Sequence, residues 1–412
     1  MSHFRPRNLA LPLPGSVATT LRPMRVEDAV RVLQPADPVH CLRPGLLIAT
    51  AERFVQSFPG TTLYAVKCNP EPAVLRALWE GGVRHFDCAS AGEVALVRGL
   101  FPDAIIHFMH PVKSRPAIAD AYLRQGVRDF VLDSAAELAK ILEEIGGAAD
   151  LGLVVRLALP KGGALYDLSG KFGAGFEEAV DLLRAARPLA ARLGVSFHVG
   201  SQCMEPLAYR RALALAGDVI RAAGVAIEIV DVGGGFPVSY PDLDPPPLGA
   251  YFAEIEAAFD ELDLPAAELW AEPGRVLVAA GTSVVLQVQA RRGEALYVND
   301  GVYGSLSDAG APGFRFPVRL VRAEGSTAAA LAPFAFWGPT CDSADYMKGP
   351  FWLPEDIREG DWIEVGQLGA YGACLATQFN GFDQAEMVEV TDGPMLQTPG
   401  HPGDDLPLAL AA

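Results

Sequence analysis

Apolar and polar positions follow two different patterns, one before and one after about residue 275. In the first part, short apolar runs alternate with longer segments whose apolar residues recur at helical spacing. The runs predict eight strands, over 63–67, 85–90, 105–110, 129–134, 153–159, 195–200, 227–233 and 268–272. The longer segments predict helices over 46–57, 71–80, 91–100, 117–124, 135–145, 176–192, 207–223 and 251–261. Capping boxes at Ser90 with Glu93 and at Ser134 with Glu137 mark the starts of two of these helices.

This repeated order of strand then helix predicts a (β/α)8 barrel of the TIM type, whose strands are apolar because both faces are covered. After residue 275 the pattern changes to strand-like runs with turns, over 276–290, 295–298, 318–321, 335–337 and 362–365. The fold class is therefore α/β plus β, a barrel followed by an all-β domain. We assign 41–282 to the barrel, and 1–40 with 283–400 to a β-sandwich-like or barrel-like domain. Residues 401–412, rich in Pro, Gly and Asp, are expected to be a disordered tail.

Composition narrows the class of protein. The 412 residues carry a net charge of −17, which argues against nucleic acid as a partner and is compatible with cationic small molecules. No apolar run reaches the ~18–20 residues of a membrane span, and the N-terminus does not resemble a signal peptide. The six cysteines lack CxxC spacing, so we expect reduced thiols in a cytoplasmic protein, and no cluster with metal-ligand spacing is found.

Ionisable residues collect where the predicted strands end, which is the active face of such a barrel. They are Lys67, Asp87, His110, Asp133, Arg156, His198, Asp231 and Glu272. Strand alternation places Lys67 on the side of Leu63 and Ala65, among apolar neighbours, where burial would lower its pKa and make it nucleophilic. The alternative for this stretch alone is a lysine that reaches solvent at the end of its strand.

A phosphate site is predicted beside this lysine. The seventh strand runs into Gly233, Gly234 and Gly235, and the eighth ends in AEPGR, which adds the fixed cation of Arg275. Barrels often bind phosphate with the loops after strands seven and eight, although a triple glycine by itself is equally a flexible turn.

A lysine and a phosphate site on one barrel face together suggest pyridoxal phosphate. That cofactor needs an acid or a cation at its pyridine nitrogen and a group against its ring. Glu272 can be the acid, and His198 can lie on the ring, although His198 alone would more simply be a core histidine.

Nine ordered motifs carry a family resemblance, namely YAVKCNP, FDCASAGE, SGKFGAG, FHVGSQ, DVGGGFP, AEPGR, NDGVYGS, GPTCDSADYM and GAYGACLATQFNGF. From about residue 40 to 390 the chain resembles the fold type III pyridoxal-phosphate decarboxylases, which act on ornithine, lysine, arginine or diaminopimelate. Within that family it looks most similar to ornithine decarboxylase.

The resemblance implies a role for each matching residue. Lys67 would bind the cofactor covalently, with Glu272 at the pyridine nitrogen and His198 on the ring. The residues implied at the phosphate are Ser201, Gly235, Arg275 and Tyr371, with the neighbouring glycines Gly233 and Gly234. Asp87 and Arg156 would lie near the lysine and the ring hydroxyl, and Glu93 would be either a supporting acid or only a helix cap.

The family's members are head-to-tail homodimers that share their sites, so a single subunit should be nearly inactive. Cys341 and Asp342 would reach across the interface into the partner's site. Cys341 would supply or guide the proton that replaces CO2, Asp342 would pair with the distal ammonium of the substrate, and Phe379 would line its pocket.

Substrate choice rests on two places. Asp342 replaces the Glu usual in diaminopimelate decarboxylases, which favours L-ornithine and the formation of putrescine for polyamine biosynthesis. After NDGVYGS, however, the Tyr-Asp pair of typical eukaryotic ornithine decarboxylases is missing, and Asp308 is the candidate substitute unless the loop is shorter. Lysine, giving cadaverine, or another basic amino acid is the alternative substrate.

Two alternatives in function remain outside the decarboxylases. A non-catalytic homologue that binds a regulator would lose cofactor residues, whereas Lys67, Glu272, His198 and Cys341 are all present. A racemase on a similar barrel would carry an arginine in place of Glu272.

Overall fold

The structure is a computed structural model that describes residues 17–18, 22–160, 164–166 and 170–401. Its strands in chain order are β1 Val17–Ala18, β2 Val39–Leu42, β3 Thr61–Ala65, β4 His85–Cys88, β5 Ile105–Phe108, β6 Asp129–Leu132, β7 Gly152–Arg156, β8 Ala164–Tyr166, β9 Arg192–Ser196, β10 Ser201–Cys203, β11 Ile229–Asp231, β12 Glu268–Ala271, β13 Thr282–Arg292, β14 Ala295–Val298, β15 Val318–Val321, β16 Leu331–Trp337, β17 Tyr346–Pro354, β18 Trp362–Val365 and β19 Glu386–Glu389. Its α-helices are α1 Val26–Leu33, α2 Pro44–Ser57, α3 Pro72–Glu80, α4 Ala91–Leu100, α5 Arg115–Leu123, α6 Ala135–Ile145, α7 Phe176–Ala186, α8 Leu207–Ala223, α9 Leu248–Asp260 and α10 Arg275–Val278.

Eight parallel strands close into a barrel in the order β3, β4, β5, β6, β7, β9, β11 and β12, and β12 pairs again with β3. The prediction of a (β/α)8 barrel is therefore confirmed. Its interior is filled by apolar side chains from several strands and from the loop after β5: Leu63, Met109, Val131, Val154, Ile229 and Trp270. Full burial of one such side chain stabilises the fold by about 1.5–3 kcal/mol, so this layer fixes how the strand ends are arranged.

Most barrel strands end earlier than the sequence predicted. The strand predicted over 63–67 is β3, which ends at Ala65, and the one predicted over 195–200 is β9, which ends at Ser196. The polar residues after these ends turn away from the ladder into loops at the mouth of the barrel. The predicted site residues therefore lie mostly in these loops, beyond the strands that position them.

Outside the barrel strands, two predicted elements differ from the structure by several residues for a clear local reason. The helix expected over 176–192 ends at Ala186 and is followed by a 3-10 turn with Pro188 at its second position; proline supplies no backbone N–H to continue the α-helix. The strand expected over 276–290 begins only at Thr282, because residues 275–278 form α10. At both capping boxes the serine side chain accepts a hydrogen bond from the glutamate N–H, as predicted.

The second domain is a mixed sheet built around β13, which pairs with β2, β14 and β18. Because β2 precedes the barrel and β13 follows it, both flanks of the barrel contribute to this sheet. The strands β17 and β19 were not predicted. Residues 402–412, which hold most of the predicted disordered tail, lie outside the described residues. Within the described chain, the helices are too short or too polar to span a lipid bilayer.

Candidate active site

A cavity of about 500 Å³ opens at the end of the barrel where the strands end. Its walls bring together most of the predicted site residues: Lys67, Arg156, His198, Ser201, Gly234, Gly235, Glu272, Arg275 and Tyr371. Asp87 contacts Lys67 from below the cavity floor. His110, Lys171 and Phe172 also line the walls, and of these only His110 had been noticed, as a residue at a strand end. Concave sites lined by a few convergent polar groups are where ligands usually bind.

Lys67 sits in a 3-10 turn over residues 66–68, just past β3, and its side chain is 43% exposed to the cavity. Its Nζ lies 2.9 Å from Oδ2 of the buried Asp87. The prediction of a buried lysine with a lowered pKa is therefore wrong. Desolvation by the cavity walls acts to lower the pKa of Lys67, but the carboxylates of Asp87 and Glu272 outweigh it and raise that pKa above its ordinary value.

Three buried acids at the barrel mouth act on one another, and the first and last of them also act on this lysine: Asp87, Asp231 and Glu272. Burial, followed by the negative charges of Asp231 and Asp87, holds the pKa of Glu272 well above its usual range. Burial also raises the pKa of Asp231 to about 6, although its Oδ1 accepts a 2.8 Å hydrogen bond from the N–H of Gly233. Burial and the mutual repulsion of these acids therefore favour the protonated form of Glu272. The sequence placed Asp231 at a strand end but did not assign it a role.

His198 follows β9 and presents a neutral imidazole to the cavity. Burial, together with the positive charges of Arg156 and Lys67, keeps the pKa of His198 well below its ordinary value. Its Nδ1 accepts a 2.9 Å hydrogen bond from the N–H of Gly200, which leaves the proton of the neutral ring on Nε2. An uncharged flat ring in this position can lie against another aromatic ring.

The three glycines after β11 form a cradle that a side chain would fill. A Cβ at Gly235 would stand 2.4 Å from the carbonyl oxygen of Gly200, and one at Gly234 would stand 2.7 Å from that of Glu272. Gly233 and Gly235 also have φ of +68° and +101°, which glycine adopts without strain. Because the N–H of Gly233 is bound to Asp231, Gly233 is set back, and only Gly234 and Gly235 line the cavity.

Arg275 completes the cradle. Its guanidinium donates to the hydroxyl of Tyr240 at 3.0 Å and lies 2.9 Å from Oδ2 of Asp308. Its Nε is buried and has no hydrogen-bond partner in the described part of the chain. A pre-placed cation with a spare donor, next to a glycine cradle and a lysine, has the chemistry to hold a phosphorylated aldehyde such as pyridoxal phosphate.

Three predicted substrate residues do not line this cavity. Cys341 is exposed on the second domain, and its N–H donates to Oδ1 of Asn380. Asp342 accepts hydrogen bonds from the N–H of Ala344 and the hydroxyl of Tyr303, which lower its pKa and keep it ionised. Phe379 is 42% exposed, with its ring centroid 5.0 Å from that of Tyr303.

We call this surface group, formed by Tyr303, Cys341, Asp342 and Phe379, the exposed half-site. Asp308, the fourth predicted substrate residue, also does not line the cavity, because its carboxylate faces Arg275 rather than open space. The motif SGKFGAG begins at Ser169, outside the described residues, whereas its Lys171 and Phe172 reach the cavity.

A closed parallel barrel with a lysine, a glycine cradle and a buried acid at its mouth defines the barrel class of pyridoxal-phosphate enzymes. Residues 45–279 match the model of the pyridoxal-binding domain of pyridoxal-dependent decarboxylases. The chain belongs to this family of pyridoxal-phosphate-dependent decarboxylases of basic amino acids, and its cofactor is pyridoxal phosphate.

Full-length relatives extend the match to both domains. The chain is 34% identical over 398 residues to the ornithine decarboxylase of Panagrellus redivivus, covering 90% of this chain and 89% of that one. It is 34% identical over 340 residues to the lysine/ornithine decarboxylase of Selenomonas ruminantium, covering 80% and 84%. The crystal structure of the Paramecium bursaria Chlorella virus arginine decarboxylase matches with a TM-score of 0.79 at 28% identity, covering 89% and 99%.

Proposed function

We propose that the protein decarboxylates L-ornithine to putrescine and CO2, a step of polyamine biosynthesis. The observation that carries this proposal is the ionised Asp342, held by Tyr303 beside an exposed thiol. A fixed carboxylate suits a substrate whose far end is an ammonium, because opposite charges attract most strongly where little water separates them. A second carboxylate on the substrate, as in diaminopimelate, would be repelled.

The cavity residues support distinct roles toward the cofactor. Asp87 holds the amine of Lys67 in place through their 2.9 Å ion pair. Glu272 would keep a proton at the pyridine nitrogen, and the neutral ring of His198 would lie on the cofactor's face. Ser201, Gly234, Gly235, Arg275 and Tyr371 would hold the phosphate.

When bound, pyridoxal phosphate supplies the electron sink for the electron pair left by the departing carboxylate. The substrate carbon must then receive a proton, and we assign this step to the Cys341 thiol. Arg156 lies at the wall beside Lys67 and would face the cofactor's ring hydroxyl. Phe379 would line the pocket for the aliphatic part of the substrate.

The exposed half-site supports a homodimer. Cys341, Asp342 and Phe379 do not line the cavity that holds Lys67, so one chain does not assemble all the predicted residues. A head-to-tail pairing would bring the half-site of one subunit over the cavity of its partner. All six cysteines are free thiols, which is compatible with a reducing, cytoplasmic environment.

Lysine is the second candidate substrate. The named relatives include an enzyme for both lysine and ornithine and one for arginine, and Asp308 is engaged with Arg275 rather than with a distal amine. One methylene in a pocket changes binding by only about 1–3 kcal/mol, so a site with a single distal acid would discriminate weakly.

Release of CO2 from ornithine, lysine, arginine and diaminopimelate tests the proposal directly. We expect the highest kcat/KM with ornithine and measurable turnover of lysine. Preference for arginine or diaminopimelate would contradict the substrate assignment, and racemisation without CO2 release would contradict decarboxylation. A protein without cofactor absorbance after reconstitution would instead favour the non-catalytic alternative.

A further inference from the structure

Arg275 and Asp308 form a buried ion pair at the phosphate end of the cavity. Their side chains are 5% and 12% exposed, and Nη2 of Arg275 lies 2.9 Å from Oδ2 of Asp308. Taking two charges out of water costs several kcal/mol per ion, which is recovered only with good geometry and further hydrogen bonds. The second anchor is the hydroxyl of Tyr240, which accepts from Nη1 at 3.0 Å.

Two aromatic rings restrict the remaining movement of the Arg275 guanidinium. Its carbon lies 5.0 Å from the ring centre of Tyr371 and 5.2 Å from that of Phe314. Asp308 and Phe314 come from the same loop, which is closed by a 2.9 Å hydrogen bond from the N–H of Phe314 to the carbonyl of Asp308. One loop therefore supplies both an anion and a ring to Arg275.

The charge of the Asp308 carboxylate is already compensated, so it would attract a substrate amine only weakly. A full positive charge already stands 2.9 Å from one of its oxygens, and the carboxylate is not part of the cavity wall. A substrate ammonium would have to approach the Arg275 cation in order to reach it, and like charges repel at short range. Oδ2 of Asp308 and Nε of Arg275 are both buried without a hydrogen-bond partner among the described residues, so the two side chains are held together as an ion pair and Nε keeps a donor for the phosphate.

We propose that Asp308 is a positioning residue for the cofactor: it holds Arg275 in the orientation that binds the phosphate, and it does not bind the substrate. This proposal rests on the assignment of Arg275 to the phosphate. It replaces the sequence-based prediction that Asp308 substitutes for a missing distal acid. An arginine that is already oriented loses less side-chain entropy when the phosphate arrives, which is the general advantage of preorganisation.

The test compares cofactor-free wild-type protein with Asp308→Asn, using pyridoxal phosphate and pyridoxal as probes. Pyridoxal lacks the phosphate but keeps the ring and the aldehyde. We expect Asp308→Asn to raise the Kd for pyridoxal phosphate about tenfold, in the range seen when partners that orient a ligating group are removed, and to leave the Kd for pyridoxal unchanged. At saturating cofactor, the KM for the amino acid should also stay unchanged.

Asp361→Asn is the matched control, since Asp361 is likewise buried in the second domain and paired with an arginine, Arg322, at 3.0 Å. It should alter neither Kd. If Asp308→Asn does not fold, Tyr240→Phe removes the other anchor of Arg275 and should give the same selective loss. An equal loss for both probes, or a raised KM with an unchanged or tighter Kd for pyridoxal phosphate, would overturn the proposal.

A double-mutant comparison separates this proposal from the assignment on which it rests. If Arg275→Ala weakens pyridoxal phosphate but not pyridoxal, the phosphate assignment stands, and adding Asp308→Asn should cause no further loss. If Arg275→Ala does not distinguish the two probes, the assignment of Arg275 fails and the positioning role fails with it. A further loss in the double variant would contradict the positioning role alone.

Discussion

The cavity at the barrel mouth and the exposed half-site differ in how far their functional residues are buried and held by partners. Around the cavity, buried acids are held by backbone groups and by a partner charge, as for Asp231 with Gly233 and Asp87 with Lys67. In the half-site, Cys341 and Phe379 are exposed. In the proposed homodimer, the cofactor site would lie within one chain, and the surface of the second chain would exclude water from the substrate.

The most severe test of the cavity removes its nucleophile. Lys67→Ala should abolish the characteristic cofactor absorbance and lower kcat by at least about 10³-fold, because no other amine occupies that position. Lys171→Ala is the control, since Lys171 is another lysine of the cavity wall, and it should keep the absorbance. Absorbance spectra and CO2 release measure both effects, and retained activity in Lys67→Ala would contradict the assignment.

Mixing two inactive variants tests whether the exposed half-site of one subunit completes the cavity of its partner. Lys67→Ala and Cys341→Ala subunits, combined in equal amounts and allowed to exchange, should recover about a quarter of wild-type activity, because half of the dimers are mixed and each has one intact site. Subunit exchange is checked by native mass spectrometry. Exchange without recovery would show that each site is contained in one chain.

Asp342→Asn should affect the substrate and leave the cofactor alone. Replacing the carboxylate by a neutral amide removes its attraction for the distal ammonium, and we expect the KM to rise roughly 10- to 100-fold. The Kd for pyridoxal phosphate should not change. Asp383→Asn, which alters a partly exposed acid close to Phe379 in the sequence, is expected to behave as wild type; a weaker cofactor affinity in Asp342→Asn would contradict the division between the two regions.

The smallest expected effect concerns the pH dependence of stability in the cofactor-free protein. Because the pKa values of Asp231 and Glu272 are raised on folding, the folded state binds protons more tightly, and stability falls as pH rises above about 4. Asp231→Asn keeps an acceptor for the N–H of Gly233 and removes one charge. It should therefore flatten this fall and raise the Tm at pH 8 by a few degrees.

A buried acid at the other end of the barrel provides a control, because its effect on the pH dependence of stability has the opposite sign. Burial acts to raise the pKa of Asp129, but His107 and Arg192 outweigh it and lower the pKa below its usual value. Asp129 therefore contributes stability above about pH 4 that is lost only as pH falls further. Asp129→Asn should lower the Tm at pH 8. Thermal denaturation of Asp231→Asn and Asp129→Asn from pH 5 to pH 8 tests both predictions. A Tm that changes in the same direction in both variants would refute the interpretation.

The sequence predicted the barrel well because its signal is local and repeated. Apolar runs followed by amphipathic segments define all eight strands, and capping residues such as Ser90 and Ser134 fix helix starts. The β domain was predicted less completely. Strand β17 has the sequence YMKGPFWLP, whose proline, glycine and aromatic residues show no regular alternation, although it pairs with the neighbouring β16. Strand β19 has only four residues, and its partner β2 is distant in sequence, so no local period reveals it.

The sequence motifs identified which residues come together at the site, but they did not predict the pKa shifts or the ion pairs of these residues. Lys67 was expected to be buried with a lowered pKa, because alternation along a strand was extended one step beyond the strand's end. The partners that reverse this shift, Asp87 and Glu272, come from other strands and become neighbours only when the barrel closes. In the same way, a sequence cannot show that Asp308 faces Arg275 across the boundary between two domains.

The pairing of β2 with β19 has a consequence for how the protein is made. Val39, near the start of the chain, pairs with Glu386, close to its end. At about 5–20 residues per second of synthesis, this early strand waits on the order of tens of seconds for its partner, long after the barrel sequence has left the ribosome. The sheet is therefore completed only after β19 has been made, so products that stop before β19 would leave an edge of β2 unpaired and open to quality control.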